Sequence, residues 1–229
     1  MLKKLAALAS VGLLAATTAA YADTIGTTES FTLNNGGSVA STPGNYGTIT
    51  LLQTATGVTL TETLSANEYF VITGAGNALS FNLKNDPSLS TVNSAITGLS
   101  SGYSLLQSSP TSASKFGSFD FAIVCGNPPC DNGGSSGINA SNHSLTFSLT
   151  GFNVSDFNFL STGGNPNAYF ASDICTAGTA NGCTGGTGNV GATTLTVPPP
   201  PATPEPSSLV LLGTGVLGAA GMLRRRFVA

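Results

Sequence analysis

Hydrophobic and polar residues alternate one by one along several short stretches of the chain. In residues 79–83 and 145–149, every second residue is Leu or Phe, and the residues between them are Ser, Thr or Asn. Successive side chains of a β-strand point to opposite faces, so this pattern predicts strands with one buried and one exposed face. Further strands are predicted at residues 30–33, 47–54, 58–61, 69–73, 119–123, 157–160, 168–173 and 193–197.

Gly, Asn, Ser and Pro separate these stretches, as in chains that turn back on themselves after each strand. The pattern therefore predicts an all-β domain, an antiparallel β-sandwich with jelly-roll-like connections, over residues 23–197. One helix is expected as a crossover, with Asp86 as its cap, Pro87 at its first helical position and Gly98 at its end. Its apolar face is expected to consist of Leu89, Val92 and Ile96.

The first 22 residues have the three parts of a secretory signal peptide. Lys3 and Lys4 precede an apolar run over residues 5–16, and small residues at Ala20 and Ala22 form the cleavage site. We expect the mature chain to begin at Asp23, with cleavage after Ala20 as the alternative.

The C-terminal end has a second three-part arrangement. A proline-rich linker over residues 198–206 precedes an uncharged apolar run over residues 207–223, and a basic tail follows at 224–229. A helix over the apolar run would be about 25 Å long, just enough to cross a bilayer. The linker ends in Pro204, Glu205 and Pro206, and the tail begins with Arg224, Arg225 and Arg226. Clustered arginines stay on the cytoplasmic side, so we expect the segment before the helix to be exported.

This arrangement resembles the PEP-CTERM sorting signal of Gram-negative bacteria. The resemblance rests on Pro204, Glu205 and Pro206, the short Gly-rich apolar helix and the terminal arginines. It implies recognition by an exosortase, a membrane protease that cuts near the Pro-Glu-Pro motif. It also implies a membrane-anchored precursor, a cell-surface or extracellular product, and extracellular polysaccharide or biofilm matrix as surroundings and partner. An ordinary tail anchor with a proline linker is the alternative.

Charge and composition exclude several classes of function. Only 7% of the 229 residues are charged, Trp is absent and His occurs once, which leaves little material for acid–base catalysis. Between the two basic ends lie two lysines and ten acidic residues, a net charge of −8. Such a body repels phosphate backbones, so nucleic acid is not expected as a partner.

Four cysteines form two close pairs along the exported body, Cys125 with Cys130 and Cys175 with Cys183. Disulfides are expected in an oxidising compartment, and four cysteines allow three connectivities. We favour the two local pairs as loop staples. A zinc site fits less well, because the spacings exceed those of zinc ribbons.

Other chemical signals are weak, and we predict no enzyme, no cofactor and no catalytic or metal site. Ser135 matches a nucleophile elbow in sequence, but a Gly-rich loop without a helix surrounds it, and the nearest histidine is His143. Glu62 and Glu68 are the nearest pair of glutamates, and a turn is expected to separate them. Asp120 is expected to be a solvated surface residue. Bound calcium is an alternative, although the chain has no ordered Asp-x-Asp-x-Asp-Gly spacing. Its ligands would be loop oxygens of Asn127, Asp131, Asn132, Asp156 and Asp173.

Two functional hypotheses follow. The first is an exported, non-enzymatic surface or extracellular-matrix protein. The alternative is a carbohydrate-binding module or adhesin, for which sugar stacking would fall to Tyr46, Tyr69, Tyr103 and Tyr169. An ice-binding role is a third idea, but alternating threonines extend along the chain only over residues 59–63.

Overall fold

The computed structural model describes a large part of the predicted exported body. The described residues are 23–37, 39, 43–71, 77–126, 130, 143–176, 178–179, 182–183 and 185–196. The chain divides into two units, Met1–Val197 and Pro198–Ala229, and every described residue lies in the first. The predicted signal peptide, proline linker, apolar helix and basic tail lie outside the described residues.

Short strands dominate the described part of the chain, which confirms the predicted all-β character. In chain order they are β1 (Thr28–Thr32), β2 (Gly47–Gln53), β3 (Gly57–Leu64), β4 (Glu68–Phe70), β5 (Leu79–Phe81), β6 (Ile96–Thr97), β7 (Tyr103–Leu105), β8 (Thr111–Ala113), β9 (Gly117–Phe119), β10 (Phe121–Cys125), β11 (Ser144–Thr150), β12 (Thr162–Gly163), β13 (Phe170–Thr176), β14 (Gly178–Thr179), β15 (Gly182–Cys183), β16 (Thr187–Ala192) and β17 (Leu195–Thr196). One α-helix, α1 (Leu89–Ala95), and one 3-10 turn, Val154–Phe157, interrupt them.

The strands form two main antiparallel sheets. The front sheet has the order β17-β1-β2-β3-β11-β6, and the back sheet has the order β16-β13-β5-β10-β7, with β4 also paired to β13. A small sheet, β12-β9-β8, and the hairpin β14-β15 complete the described strands. Neighbours in the front sheet include strands far apart in sequence, such as β3 and β11.

The two main sheets share one apolar core. The ring of Phe31 in β1 lies 4.8 Å from that of Phe170 in β13, and the rings of Phe81 and Phe147 are 6.1 Å apart across the same space. These side chains are almost fully buried. Alternation along β2, β3 and β11 thus places mostly Leu, Ile, Val and Phe inside and mostly Thr and Ser outside.

The small sheet covers part of the outer face of the back sheet. Phe116 and Phe119 pack there with Ala113, Ala168 and Ala171 in a second buried cluster. The Phe116 ring lies directly over the backbone of Gly191 in β16, where an added Cβ would be 2.5 Å from a ring carbon. Glycine at this position therefore permits the close approach of ring and strand.

The prediction of one continuous strand over residues 119–123 is wrong. The structure has β9 ending at Phe119 and β10 beginning at Phe121, in different sheets. Consequently Phe119 enters the second cluster, and Phe121 enters the core between the main sheets. Because the strand is interrupted at Asp120, Phe119 and Phe121 pack in two different apolar clusters although they belong to one alternating stretch.

The strand predicted at residues 157–160 is also wrong. Phe157 ends the 3-10 turn and is fully buried, whereas Phe159 and Leu160 are exposed. The carboxylate of Asp156 accepts a hydrogen bond from the Asn153 backbone N–H, 2.8 Å away. Local capping by Asp156 thus favours a turn over an extended strand.

The predicted helix exists, but it begins later than expected and ends at Ala95, before the predicted end at Gly98. Ser88 is its N-cap, and the Ser88 hydroxyl accepts a hydrogen bond from the Thr91 backbone N–H. Asp86 has a φ of 42°, outside the helical region, so it cannot serve as the cap. Val92 is the buried residue of the helix, as the predicted apolar face requires.

Candidate functional site

The residues predicted to direct export lie outside the described residues. They are Ala20 and Ala22 of the signal cleavage site, Pro204, Glu205 and Pro206 of the sorting motif, and Arg224, Arg225 and Arg226 of the tail. Within the described residues, α1 is too short to cross a bilayer, and no other helix is long and apolar enough. Ser135 of the weak elbow motif also lies outside them.

The most unusual titratable group of the described body is Glu62, in β3. Its side chain continues the inward series of Val58 and Leu60 and is fully buried between the main sheets. On its own sheet it lies between Ile49 and Leu145, its register partners on β2 and β11. A carboxyl group thus occupies a position where alternation calls for an apolar side chain.

One residue of the opposite sheet contacts this carboxyl group. Ser172 in β13 is fully buried, and its hydroxyl donates a hydrogen bond to Glu62 Oε1. Among the described residues, the other carboxyl oxygen, Oε2, has no hydrogen-bond partner. Burial raises the pKa of Glu62 to about 8, and the Ser172 hydrogen bond opposes this rise. At neutral pH, Glu62 is therefore mostly a neutral, proton-bearing acid.

Glu62 and Glu68 do not form the paired carboxylates of a glycosidase. Residues 65–67 form the predicted turn, and they carry the chain from β3 of the front sheet to β4 of the back sheet. Glu68 is partly exposed, and burial raises its pKa. Glu62, in contrast, is fully buried in the core.

Asp120 differs from the predicted freely solvated residue. It is half-buried between β9 and β10, and its backbone N–H donates a hydrogen bond to Asn82 Oδ1, 2.7 Å away. Desolvation raises the pKa of Asp120, and the nearby charge of Asp86 raises it further. The residue thus marks the point where the chain passes from one sheet to another.

His143 lies against an aromatic ring. Its ring centroid is 4.0 Å from that of Tyr69, with the two ring planes tilted by 44°. The Nδ1 atom is buried and, within the described residues, lacks a hydrogen-bond partner. His143 is therefore half-buried and packs on Tyr69, whereas a surface loop position was expected from the sequence.

Both disulfides of the structure join cysteines that are close in sequence. Cys125, at the end of β10, is bonded to Cys130, and their Cα atoms are 5.7 Å apart. Cys175, in β13, is bonded to Cys183 of the β14–β15 hairpin, with Cα atoms 5.8 Å apart. These are the local pairs favoured from the sequence, and neither bond leaves a thiolate for zinc.

The described acidic residues do not gather around a metal-sized space. No group of three or more His, Cys, Asp or Glu side chains within this part of the chain could hold an ion. Asp156 caps the 3-10 turn, and Asp173 is buried in β13.

An open cleft of about 390 Å³ lies beside the back sheet. Its lining includes Leu106, Pro110, Val124, Thr111 and Asn77. The Asn77 amide donates hydrogen bonds to Ser80 and Thr111, so its donors are already used. The described residues that line this cleft carry no charge.

Sequence reasoning missed the core position of Glu62. The predicted strand stopped at residue 61, although continuing the two-residue period from Val58 and Leu60 would have placed Glu62 inward. The Ser172 contact has no signal of its own in the sequence, because it depends on how the two sheets face each other.

Comparison with known proteins identifies the C-terminal segment of the chain. Residues 202–226 match the family model of the PEP-CTERM protein-sorting motif. No curated protein and no solved structure matches the chain. The match includes Pro204, Glu205 and Pro206 as well as the three arginines. The chain is thus identified by its C-terminal segment as one that carries the PEP-CTERM sorting motif, which implies export, a membrane-anchored precursor and sorting by an exosortase.

Proposed function

We propose that the exported body is a non-enzymatic surface or extracellular-matrix protein, released or displayed after an exosortase acts on its C-terminal signal. The sorting motif at residues 202–226 is the observation that carries this proposal. The disulfide-stapled β body supports it, because disulfides persist in oxidising compartments outside the cytoplasm. Extracellular polysaccharide is the proposed surrounding material.

The described titratable groups support a non-enzymatic role. Glu62 is inaccessible to a substrate, and the cleft beside the back sheet has a neutral lining. We expect the exported protein to show no hydrolase activity on common polysaccharides. Turnover that Asp120→Asn abolishes would overturn this part of the proposal.

The alternative, a carbohydrate-binding module, has weaker support. Tyr46 and Tyr69 are buried, and Tyr103 and Tyr169 are half-buried against Phe70 and Phe31. A stacking platform needs an exposed aromatic face. Saturable binding to one class on a glycan array would favour this alternative.

The sorting proposal can be tested by changing the motif while leaving the apolar run intact. An exosortase that reads the motif should recognise the Glu205 carboxylate and the fixed backbone of Pro206. Glu205→Gln or Pro206→Ala should therefore leave an uncut precursor in the inner membrane. An immunoblot of inner-membrane and extracellular fractions measures this directly.

Pro201→Ala is the matched control, because Pro201 belongs to the same linker but lies outside the matched segment. Its product should be processed normally. Replacing Arg224, Arg225 and Arg226 by Ser should weaken retention before cutting, since clustered positive charge fixes the orientation. Normal processing of both motif variants would leave a plain tail anchor as the explanation.

A further inference from the structure

The outer face of the front sheet carries rows of hydroxyl groups, interrupted at one position by the exposed side chain of Leu52. Strand register places Ser30, Thr50, Thr61 and Thr146 side by side in one row across β1, β2, β3 and β11. A second row and a third row flank it, and the three rows together are named the hydroxyl face. The flanking rows are Thr32, Thr48, Thr63 and Ser144 on one side, and Thr28, Leu52, Thr59 and Ser148 on the other.

The rows repeat with the spacings of the sheet itself. Neighbouring strands lie about 4.8 Å apart, and residues on one face of a strand repeat about every 6.8 Å. Each threonine contributes a hydroxyl and a methyl group to this grid. The side chains of the hydroxyl face are half-buried or exposed, so the described structure leaves them open to solvent.

Two pairs of these hydroxyl groups are hydrogen-bonded to each other before any ligand arrives. The hydroxyls of Thr59 and Ser148 are hydrogen-bonded at 2.9 Å, and that of Thr146 donates to Thr61 Oγ1 at 3.3 Å. Threonine side chains are also stiff, because branching at Cβ limits their rotamers. Binding of a ligand to the hydroxyl face thus costs the protein little side-chain conformational entropy.

The hydroxyl face is neutral on an acidic protein. It contains no charged residue and no aromatic residue, whereas the exported body carries a net charge of −8. A charged partner would find no opposite charge here. A sugar would find no aromatic ring to stack on, and exposed hydroxyls gain little by exchanging water for sugar hydroxyls.

We propose that the hydroxyl face binds ice. Ice is a neutral, repeating array of hydrogen-bonding groups, so it matches the face in charge and in chemistry. The ligand groups are the water molecules of the ice surface. The threonine hydroxyls form hydrogen bonds to these water molecules, and the threonine methyl groups lie between the water molecules. Many weak contacts act together on one crystal surface, and together they hold the protein.

The contact should be centred on the middle strands. Neighbouring strands rotate by about 20–25° relative to each other, so the face stays close to one plane only over a few adjacent strands. Thr50 and Thr61 occupy that centre in β2 and β3. Substitutions there test the proposal most directly.

The experiment is ice-affinity partitioning of the exported protein, together with inhibition of ice recrystallisation. The wild type should enter slowly growing polycrystalline ice. Thr61→Lys places a long charged side chain in the centre of the grid and should reduce incorporation at least about tenfold. Thr50→Lys should do the same, which guards against a folding defect at one position.

Thr162→Lys is the matched control. Thr162 is exposed in β12 of the small sheet, and its substitution adds the same charge away from the hydroxyl face. It should leave incorporation unchanged, and melting temperatures should show that all variants are folded. Absence of the wild type from ice would overturn the proposal, as would equal incorporation of all variants. Self-association or neutral-glucan binding that Thr61→Lys abolishes, without incorporation into ice, would assign the face to that occupant instead.

Discussion

Raising the pH should destabilise the exported body through one core residue, Glu62. The folded protein holds the proton of this carboxyl group up to a pKa of about 8, whereas its ordinary pKa is 4.5. Between these pH values the folded state keeps a proton that the unfolded chain has lost. The free energy of unfolding therefore falls as the pH rises through this window.

The size of the effect follows from the two pKa values. They differ by about 3.5, and each whole pKa difference corresponds to about 1.4 kcal/mol. The stability that Glu62 contributes is complete below about pH 4.5, and it is lost by about pH 8. The total loss is on the order of 5 kcal/mol, comparable with the whole stability of many domains.

Glu62→Gln isolates this contribution. Gln has nearly the same shape, can accept the Ser172 hydrogen bond and does not titrate. At pH 5 the variant should differ from the wild type by no more than about 1–2 kcal/mol, the scale of one altered hydrogen bond. At pH 8.5 the variant should be the more stable protein by several kcal/mol, since only the wild type must then bury a charge.

The assay is urea unfolding of the exported protein between pH 5 and pH 9, followed by circular dichroism. Glu29, Glu68 and Asp120 also have pKa values raised by burial, so the wild-type profile alone does not isolate Glu62. Glu68→Gln is the matched control and should retain most of the pH dependence. A difference between wild type and Glu62→Gln that stays constant from pH 5 to pH 9 would refute the reasoning.

A double substitution separates burial from hydrogen bonding. Glu62→Leu alone leaves the buried Ser172 hydroxyl without its partner, which costs about 1–3 kcal/mol. Adding Ser172→Ala removes both polar groups, and the double variant should recover most of that loss at pH 5. Failure to recover would show that Glu62 and Ser172 are not partners in the core.

The other predictions concern the bridges, one close contact and the N-terminus. Non-reducing peptide mapping should find each cysteine joined to its near neighbour, and loss of the Cys125–Cys130 bridge should lower the free energy of unfolding by about 2 kcal/mol, because the closed loop is short. Free thiols or crossed pairs would contradict this. Gly191→Ala should cost about 1–3 kcal/mol, since its Cβ would press on the Phe116 ring; a wild-type melting temperature would argue against that packing. Mass spectrometry of the exported product should find Asp23 first, and a product that keeps Met1 would show that no signal peptide is removed.

The sequence alone was sufficient for the sorting motif and for the general type of fold. A sorting motif consists of consecutive residues, so Pro204, Glu205 and Pro206 can be identified without knowledge of any tertiary contact. Alternation was equally informative in β3 and β11, where Leu60 and Phe147 had to face the core. Both signals are local, because neighbouring residues along the chain carry them.

Sheet membership required the tertiary structure. Phe119 and Phe121 share one alternating stretch, yet they enter different cores because the chain changes sheets at Asp120. The same limitation applies to Glu62, whose neutral state depends on the apolar neighbours and on a serine of the opposite sheet.

The hydroxyl face shows this limit most clearly. Along the chain, only residues 59–63 suggested a threonine pattern, and that stretch is short. Strand pairing brings Thr50, Thr61 and Thr146 into one row although many residues separate β3 from β11 in the sequence. Hydrogen bonding between distant strands sets the register, and a register shift of one residue would turn every threonine of a strand toward the core. The composition supplied the threonines, but only the tertiary structure arranged them in rows.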